Sequence, residues 1–262
     1  MVEVKKNDRY KIGHFFKNMN DMTILSCLQG HMGRAWTDNL ETPSCALIQE
    51  GTFCFLAGEK NSLNTDIISQ ILTLTDLDLT FVITGQDNYG ELIMKYYGDD
   101  CKKIIRYRIK KKQEEFDLNQ LKSIVSRLPV EYTLSPINEK WYEEALGETW
   151  SEDFVSNFSS KEDYLQRGIG WVITYKDKII SGASSYSVYD TGIEIEIATR
   201  EEYRRQGLAQ IVGAALILAC RERGLYPSWD AANMISVQIA QKLGYEYDAP
   251  YDAYMIRRKP TE

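Results

Sequence analysis

The chain has 262 residues, of which 44% are hydrophobic, and a formal net charge of −7. This length exceeds the usual size of a single domain, so we expect two domains, with one large domain as the alternative. The acidic balance argues against a nucleic acid or an anionic membrane surface as a partner, although it leaves room for a local basic patch.

The cysteines and histidines show no pattern of a disulfide framework or of a metal site. The chain has five cysteines and two histidines, and no two cysteines have the CxxC spacing. We therefore predict neither a disulfide scaffold nor a metal. The amino-terminal segment lacks the apolar core of a signal peptide, and the longest apolar run, 211–220, is about half as long as a bilayer span. These features predict a cytoplasmic protein in a reducing compartment.

The first half of the chain predicts mixed α and β structure. Two apolar runs on either side of Glu50-Gly51 indicate a β-hairpin. Asp117 has the position of a helix N-cap, and the charged run 110–117 is expected to form a solvated turn. The predicted elements are a helix over 18–29, strands within 44–59, 78–85 and 102–112, and a helix over 117–128.

The segment 128–138, "LPVEYTLSPIN", contains two of the six prolines. We place the domain boundary here, between an N-terminal domain 1–128 and a C-terminal domain 129–262. The second domain is predicted as an antiparallel meander, a crossover helix, a strand, another helix and a final strand or hairpin. The predicted helices are 138–147, 151–158, 160–167, 206–222 and 233–243, and the strands are 170–177, 178–189, 192–199, 226–231 and a region within 245–258.

The stretch "RRQGLA", Arg204 to Ala209, has the features of an anion site. It lies between a predicted strand and an apolar helix, and the first N–H groups of a helix have no partner inside the helix. The helix dipole also favours an anion at this end. Gly207 lets the backbone approach a phosphate, and Arg204 and Arg205 can add charge-assisted hydrogen bonds. The alternative is a basic turn in front of a buried helix.

These residues resemble the acetyl-CoA motif, Q/R-x-x-G-x-G/A, of the GNAT N-acetyltransferase superfamily. The stretch "NMISVQIAQKLGYEY", from Asn233, resembles the next GNAT motif, an Asn-led helix that ends in a K-L-G-F/Y turn. With "EIEIAT" and "LYPSWDA", the chain is similar to the two-domain GNAT-acetyltransferase group. The resemblance is specific over 129–262 and looser over 1–128, where it rests on "SCLQGHMGRAW" and "FCFLAGE".

The resemblance implies an α/β (α+β) fold class. The C-terminal domain would have a mixed, mostly antiparallel sheet flanked by helices, and the N-terminal domain would be a smaller α+β unit. It implies that the loop 204–209 cradles the CoA pyrophosphate, and that Asn233 reaches the pantetheine arm or the reacting centre. The thioester would lie where two strands splay apart. The implied CoA-binding residues are Ile197, Ala198, Thr199, Arg204, Arg205, Gln206, Gly207, Leu208, Ala209 and Asn233.

An acceptor amine with a pKa near 10 is mostly protonated at neutral pH, so it must lose a proton before it attacks a thioester. The carboxylates near the implied thioester are Glu194, Glu196 and Asp230. Glu196 ranks first because it lies closest to the thioester end of its strand. The alternative is that the two glutamates are solvated or salt-bridged strand residues, and that Asp230 caps the following helix or turn.

The chain departs from the GNAT pattern at Ala240. Many GNAT enzymes have a tyrosine at this position, seven residues after the motif asparagine, that is thought to protonate the leaving thiolate. A thiol with a pKa near 8.5 also leaves as an anion. One of the later tyrosines could substitute, or they could serve ordinary strand packing; they are Tyr245, Tyr247, Tyr251 and Tyr254.

The sequence therefore predicts an enzyme that moves an acetyl group from acetyl-CoA to a primary amine by direct attack in a ternary complex. The alternative is a non-catalytic acyl-CoA-binding regulatory module, which Ala240 favours. An interaction protein that uses only the GNAT shell is disfavoured by the intact "RRQGLA" loop. The expected partner is an amine-bearing acceptor of unknown identity, whose pocket the N-terminal domain is expected to shape. A homo-oligomer is left open.

Overall fold

The computed structural model describes residues 1–59, 62, 64–85, 87–111 and 116–258. By its internal contacts the chain divides into two compact units. The first is Met1–Arg106 together with the segment from Pro250 onwards, and the second is Tyr107–Ala249. This division falls at different places from the expected boundary between 128 and 129. The expected boundary between two separately folding domains therefore stays a prediction.

The first unit is built on a mixed sheet. Its strands are β1 (Val2–Glu3), β2 (Arg34–Thr37), β3 (Cys45–Glu50), β4 (Phe53–Gly58), β5 (Leu79–Thr84), β6 (Cys101–Ile109) and β13 (Tyr247–Arg257), and its helices are α1 (Met22–Leu28), α2 (Thr65–Ser69), α3 (Ile71–Thr75) and α4 (Asp87–Tyr97). Residues 107–109 of β6 and 247–249 of β13 already belong to the second unit. The strands lie in the order β1-β2-β3-β4-β5-β13-β6, with β4 and β5 parallel and the pairs from β1 to β4 antiparallel.

The central strands of this sheet are buried on both faces. Leu47 and Leu56 belong to one apolar cluster, whereas Ile48 and Phe55 belong to another. Successive side chains on a strand point to opposite faces, so the two clusters are the two sides of one sheet. The predicted hairpin is confirmed: β3 and β4 pair in register from Cys45↔Gly58 to Glu50↔Phe53.

The strands of the second unit are β7 (Thr133–Pro136), β8 (Gly170–Tyr175), β9 (Lys178–Tyr189), β10 (Gly192–Thr199), β11 (Tyr226–Ser228) and β12 (Asp230–Ala231), and its helices are α5 (Leu118–Val125), α6 (Glu139–Leu146), α7 (Lys161–Arg167), α8 (Leu208–Glu222) and α9 (Met234–Lys242). The first five of these strands form one sheet in the order β11-β10-β9-β8-β7. All neighbours in this sheet are antiparallel except β10 and β11, which are parallel. The predicted fold class, mixed α and β with mixed sheets flanked by helices, is confirmed.

Side-chain caps fix where the helices of the second unit begin. Asp117 accepts hydrogen bonds from the N–H groups of Asn119 and Gln120. Ser160 accepts one from the N–H of Asp163, and α7 ends before Gly168. These caps satisfy N–H groups that have no partner within the helix. The helix starts predicted at Asp117 and Ser160 are thus confirmed.

Helix α8 is apolar because it is buried. Nine of its fifteen residues, including Leu208, Ile211 and Ile217, are buried. Gly213 lies at the closest approach: a Cβ there would be 3.0 Å from Cδ1 of Leu243 and 3.4 Å from Cδ1 of Ile197. The helix therefore packs against both α9 and β10, and only its first turn needs polar surroundings. Among the described residues, no helix is both long enough and apolar enough to cross a membrane.

Three predicted elements of the second half differ from the structure. The predicted strand 226–231 is two strands, since β11 pairs with β10 while β12 pairs with β6, Asp230 opposite Arg108. The final strand was expected in the second domain, but it is β13, which pairs with β5 of the first unit. The predicted helix 151–158 is only a short 3-10 turn, Glu152–Phe154. At its start, the Ser151 hydroxyl donates to the carbonyl of Ala145.

Candidate functional site

Strands β10 and β11 run side by side for only three residue pairs. The last pair in register is Glu194↔Ser228. Beyond it, β10 continues to Thr199 and remains paired with β9. We call the point after Glu194 and Ser228, where the two strands stop pairing, the fork. The residues of β10 before the fork are buried, whereas 196–199 are partly exposed. Among the described residues, no strand pairs with β10 beyond the fork on the side of β11, as the prediction of splayed strands requires.

A β-bulge accompanies the fork on the opposite neighbour of β10. Glu194 pairs with Ser187 and Ile195 with Ser185, so Tyr186 is an extra residue on β9. A bulge increases the local twist and bend of the strand that carries it. The bulge on β9 and the end of the β10–β11 pairing both fall directly after Glu194.

The loop after β10 has the geometry of an anion-binding nest. Arg205 and Gly207 have positive φ angles of 65° and 79°, and Gly207 is the N-cap of α8 without a side-chain cap. Among the described residues, no acceptor is assigned to the N–H groups of 205–209. Consecutive N–H groups without a protein acceptor, together with a helix N-terminus, favour the binding of an anion.

Two side chains support this loop from within the second unit. The Nε of Arg204 donates to the carbonyl of Thr199, at 3.2 Å. The Tyr132 hydroxyl lies 3.1 Å from Oε1 of Gln206. The residues from Arg204 to Gly207 are exposed, while Leu208 is buried under the start of α8. The structure thus presents the predicted pyrophosphate loop at the surface and anchors the helix behind it.

Asn233 caps α9. Its Oδ1 accepts the N–H of Ser236 at 3.0 Å, and its side chain is exposed. The cap uses the amide oxygen and leaves the NH2 group as a donor. Asn233 can therefore cap α9 through its amide oxygen and still donate a hydrogen bond to a ligand from its amide nitrogen.

The three carboxylates proposed for proton transfer have different surroundings. Glu194 is buried, and its Oε2 lies 3.7 Å from Nζ of Lys111. Glu196 and Asp230 are partly exposed. Glu194 and Glu196 lie on the same face of β10 because they are two residues apart. Glu194 is thus a salt-bridged strand residue, the alternative that the sequence left open, while Glu196 remains accessible to solvent.

Lys111 is a residue of this site that sequence reasoning missed. The sequence predicts that Lys111 lies in the solvated turn 110–117, but its side chain is only 14% exposed. Its ammonium donates to Oγ of Ser228 and to the carbonyl of Trp229. Phe116 of the same run is buried too, and its ring centroid lies 5.0 Å from that of Tyr245. The turn prediction is wrong for these two residues because both find partners far along the chain; residues 112–115 lie outside the described part.

The structure gives Tyr245 a packing role. Its hydroxyl donates to the carbonyl of Pro227 at 2.6 Å, and burial raises the pKa of this tyrosine well above its usual value. Its N–H donates to the carbonyl of Ala240, whose side chain is fully buried. Tyr254 belongs to the core of the first unit. Packing, the alternative given for the late tyrosines, thus describes Tyr245 and Tyr254.

Comparison with known proteins adds to this geometry. The sequence model of the GNAT acetyltransferase family matches residues 13–254. The crystal structure of a GCN5-related N-acetyltransferase-like protein from Streptococcus suis 89/1591 is 39% identical and has a TM-score of 0.88, covering 96% of this chain and 99% of that one. The uncharacterized N-acetyltransferase YdfB of Bacillus subtilis (strain 168) is 25% identical in an alignment 207 residues long, which covers 69% of this chain and 78% of that protein.

A more distant structure shares the fold alone. The GCN5-related N-acetyltransferase from Kribbella flavida is 12% identical, with a TM-score of 0.54 over 84% of this chain and 88% of that one. The family match extends over both compact units, so it does not confine the GNAT region to 129–262, and that part of the prediction is not confirmed. Because the match covers most of the sequence, the chain belongs to the GNAT acetyltransferase family and is an acyltransferase.

Proposed function

We propose that the chain transfers an acetyl group from acetyl-CoA to a primary amine, by direct attack of the amine within a ternary complex. The observation that carries this proposal is the succession of an open β10 edge and an anion-binding nest. Members of the family generally use acetyl-CoA, which has a polyanionic end and an extended amide-containing arm. Such a ligand can be bound by a nest and by a strand edge that no described strand occupies.

The pyrophosphate of CoA would bind at the 204–209 loop. Five consecutive N–H groups without an assigned protein acceptor, among the described residues, can donate to phosphate oxygens. The guanidinium groups of Arg204 and Arg205 are exposed and add charge-assisted bonds. Leu208 anchors the nest because its buried side chain fixes the first turn of α8.

The pantetheine arm would pair with the open edge of β10 at Ile197, Ala198 and Thr199. An extended ligand that adds to a strand edge satisfies backbone groups that otherwise face solvent. Asn233 would donate from its amide nitrogen to the arm. The thioester would then lie at the fork, because that is where β11 leaves the edge of β10.

Glu196 is the proposed general base. It is the first residue of β10 that is partly exposed, whereas Glu194 before it is buried against Lys111. A partly exposed carboxylate beside the fork can take a proton from the acceptor ammonium directly or through water. The buried side chain of Ala240 cannot donate a proton, and we propose that CoA leaves as a thiolate, which the thiol pKa near 8.5 allows.

The second candidate is a regulatory module that binds acyl-CoA without catalysis. The observation that favours it is Ala240, which is buried and brings no acid to the site. Both candidates predict binding of acetyl-CoA, so they differ only in turnover.

The test is made on the full-length wild-type chain. Titration calorimetry with acetyl-CoA should show a single binding event, and thiol release from acetyl-CoA should accelerate with at least one member of a panel of primary amines, aminoglycosides and peptides. Binding without turnover on the panel would support the regulatory module. Failure to bind acetyl-CoA would overturn both candidates.

A further inference from the structure

Lys111 connects the two strands of the fork. Its ammonium lies 3.7 Å from Oε2 of Glu194, on β10. It also donates to Oγ of Ser228, the last residue of β11, and to the carbonyl of Trp229 at 3.3 Å. The ammonium thus makes two hydrogen bonds, to Ser228 and Trp229, and one ion pair, with Glu194.

The three partners of Lys111 lie where β10 and β11 stop pairing. Glu194 and Ser228 are the last residues of β10 and β11 that face each other in register. Trp229 lies between β11 and β12, so its carbonyl belongs to neither ladder. Lys111 therefore forms an ion pair with the last paired residue of β10, and it donates hydrogen bonds to the last paired residue of β11 and to the first carbonyl beyond the pairing.

Burial makes the contact specific. The side chains of Lys111 and Glu194 are 14% and 8% exposed, and Ser228 and Trp229 are buried. A charge with so little access to water must have fixed partners, because burying an ammonium without them is strongly unfavourable. The neighbouring Lys110 differs, since its ion pair with Glu246 is 43% exposed on both sides.

We infer that Lys111 is a positioning residue that fixes where β10 and β11 separate, and thereby where the thioester end of the cofactor arm stops. This inference rests on the proposed function, because the fork matters for chemistry only if the arm lies along β10. By bonding across the fork, Lys111 keeps β11 from extending its pairing along β10 or from withdrawing earlier. Its effect should therefore be felt at the acyl end of acetyl-CoA and not at the pyrophosphate.

The competing explanation is that Lys111 only neutralises the charge of Glu194. The two explanations separate in a double variant, Lys111→Met with Glu194→Gln, which removes both charges and so leaves no carboxylate without this counter-ion. If neutralisation were the whole role, the double variant would bind as the wild type does. If Lys111 instead fixes the place where β10 and β11 separate, the double variant should still bind acetyl-CoA more weakly than the wild type, because methionine cannot donate to Ser228 or Trp229.

The experiment compares two probes by calorimetry on the full-length chain. Acetyl-CoA reports on the nest and the fork together, and 3′-phosphoadenosine 5′-diphosphate, which lacks the pantetheine arm, reports on the nest alone. In the double variant we expect the Kd of acetyl-CoA to rise about tenfold or more, while the Kd of the nucleotide stays unchanged. The matched control, Lys110→Met, should change neither value.

Each result has one meaning. An unchanged ratio of the two Kd values in a folded double variant overturns the inference. If thermal melting shows that the double variant does not fold, Ser228→Ala, which removes one neutral acceptor, decides by the same ratio: a raised ratio supports the inference and an unchanged ratio overturns it. A wild type that binds neither probe would instead remove the proposed function.

Discussion

Arg205 and Gly207 both have left-handed backbone conformations, at φ of 65° and 79°, on either side of Gln206. A glycine adopts this conformation without strain, whereas a residue with a Cβ pays about 1–3 kcal/mol for it. Arg205 has a Cβ and nevertheless adopts this conformation, and such backbone strain is found more often at functional sites. Left-handed residues in a turn before a helix are typical of nests, in which successive N–H groups bind an anion.

Replacing Gly207 by valine should abolish the binding of acetyl-CoA and leave the fold intact. Apart from the adjoining backbone, no described atom lies within 4 Å of a Cβ at this position, so the added methyl groups would occupy the space of the ligand. The left-handed φ adds a strain of about 1–3 kcal/mol, which the control variant shares. Calorimetry and thermal melting measure the two effects. Gly224→Val is the matched control, since Gly224 has φ of 70° and equally open surroundings, but lies at the other end of α8. Equal loss of binding in both variants would remove the site from this loop.

The variant Glu196→Gln should lower turnover roughly 100-fold or more while the affinity for acetyl-CoA stays the same, because the amide keeps the shape but cannot accept the proton. Thiol release at saturating acetyl-CoA, measured from low to high pH, tests this. Glu222→Gln, an exposed glutamate at the end of α8, serves as the control and should leave the rate unchanged. Wild-type rates across the pH range would transfer the role to Asp230, Glu194 or water.

Tyr245→Phe should destabilise the protein without slowing acetyl transfer. The change leaves the buried carbonyl of Pro227 without the hydroxyl that donates to it at 2.6 Å, which costs about 1–3 kcal/mol. Chemical denaturation gives the stability and thiol release gives the rate. In the control, Tyr189→Phe, the lost bond to the carbonyl of Tyr226 is longer, at 3.3 Å, so the cost should be smaller. A slow but fully stable Tyr245→Phe would make Tyr245 the missing acid.

Asp163→Asn should destabilise the protein in a pH-dependent way. The side-chain hydrogen bonds from Arg167 lower the pKa of Asp163 from 3.8 to about 2. Because the folded-state pKa is the lower one, the contribution is fully present above pH 4 and is lost as the pH falls through about 2. The difference from wild type, about 2 kcal/mol at neutral pH, should therefore close on acidification.

Denaturation midpoints between pH 2 and pH 7 measure this difference. Arg167→Met removes the donor whose Nε lies 2.6 Å from Oδ1 of Asp163, so its effect should not add to that of Asp163→Asn. The prediction would be contradicted if the difference in stability between wild type and Asp163→Asn stayed constant down to pH 2. Additive effects of Asp163→Asn and Arg167→Met would also contradict it.

The parts of the fold that sequence predicted well depend on neighbours in the chain. The meander β8 to β10 follows from alternating residues and short turns, and α7 follows from Ser160 and Gly168, which lie within eight positions of each other. The loop at Gly207 could be predicted for the same reason, since a helix start and its orphan N–H groups are local.

The parts that sequence did not predict depend on distant partners. Lys111 and Ser228 are 117 positions apart, so nothing near Lys111 distinguishes it from the solvated Lys110. Tyr226 to Ala231 looks like one strand, and it divides because β10 pairs with its first half and β6 with its second. The role of Glu196 as base stays a prediction, because it depends on where an acceptor binds.

The buried residues of α5 make a last prediction about where the second unit begins. Leu121 and Ile124 are almost fully buried, and α5 packs against α8. A fragment 107–249 contains them, whereas a fragment 129–249, which starts at the boundary expected from sequence, does not. Each lost apolar side chain removes about 1.5–3 kcal/mol of burial. We therefore expect 107–249 to fold and bind acetyl-CoA, and 129–249 to melt at a much lower temperature or aggregate. Equal melting temperatures and equal affinities for the two fragments would place the boundary at 128/129.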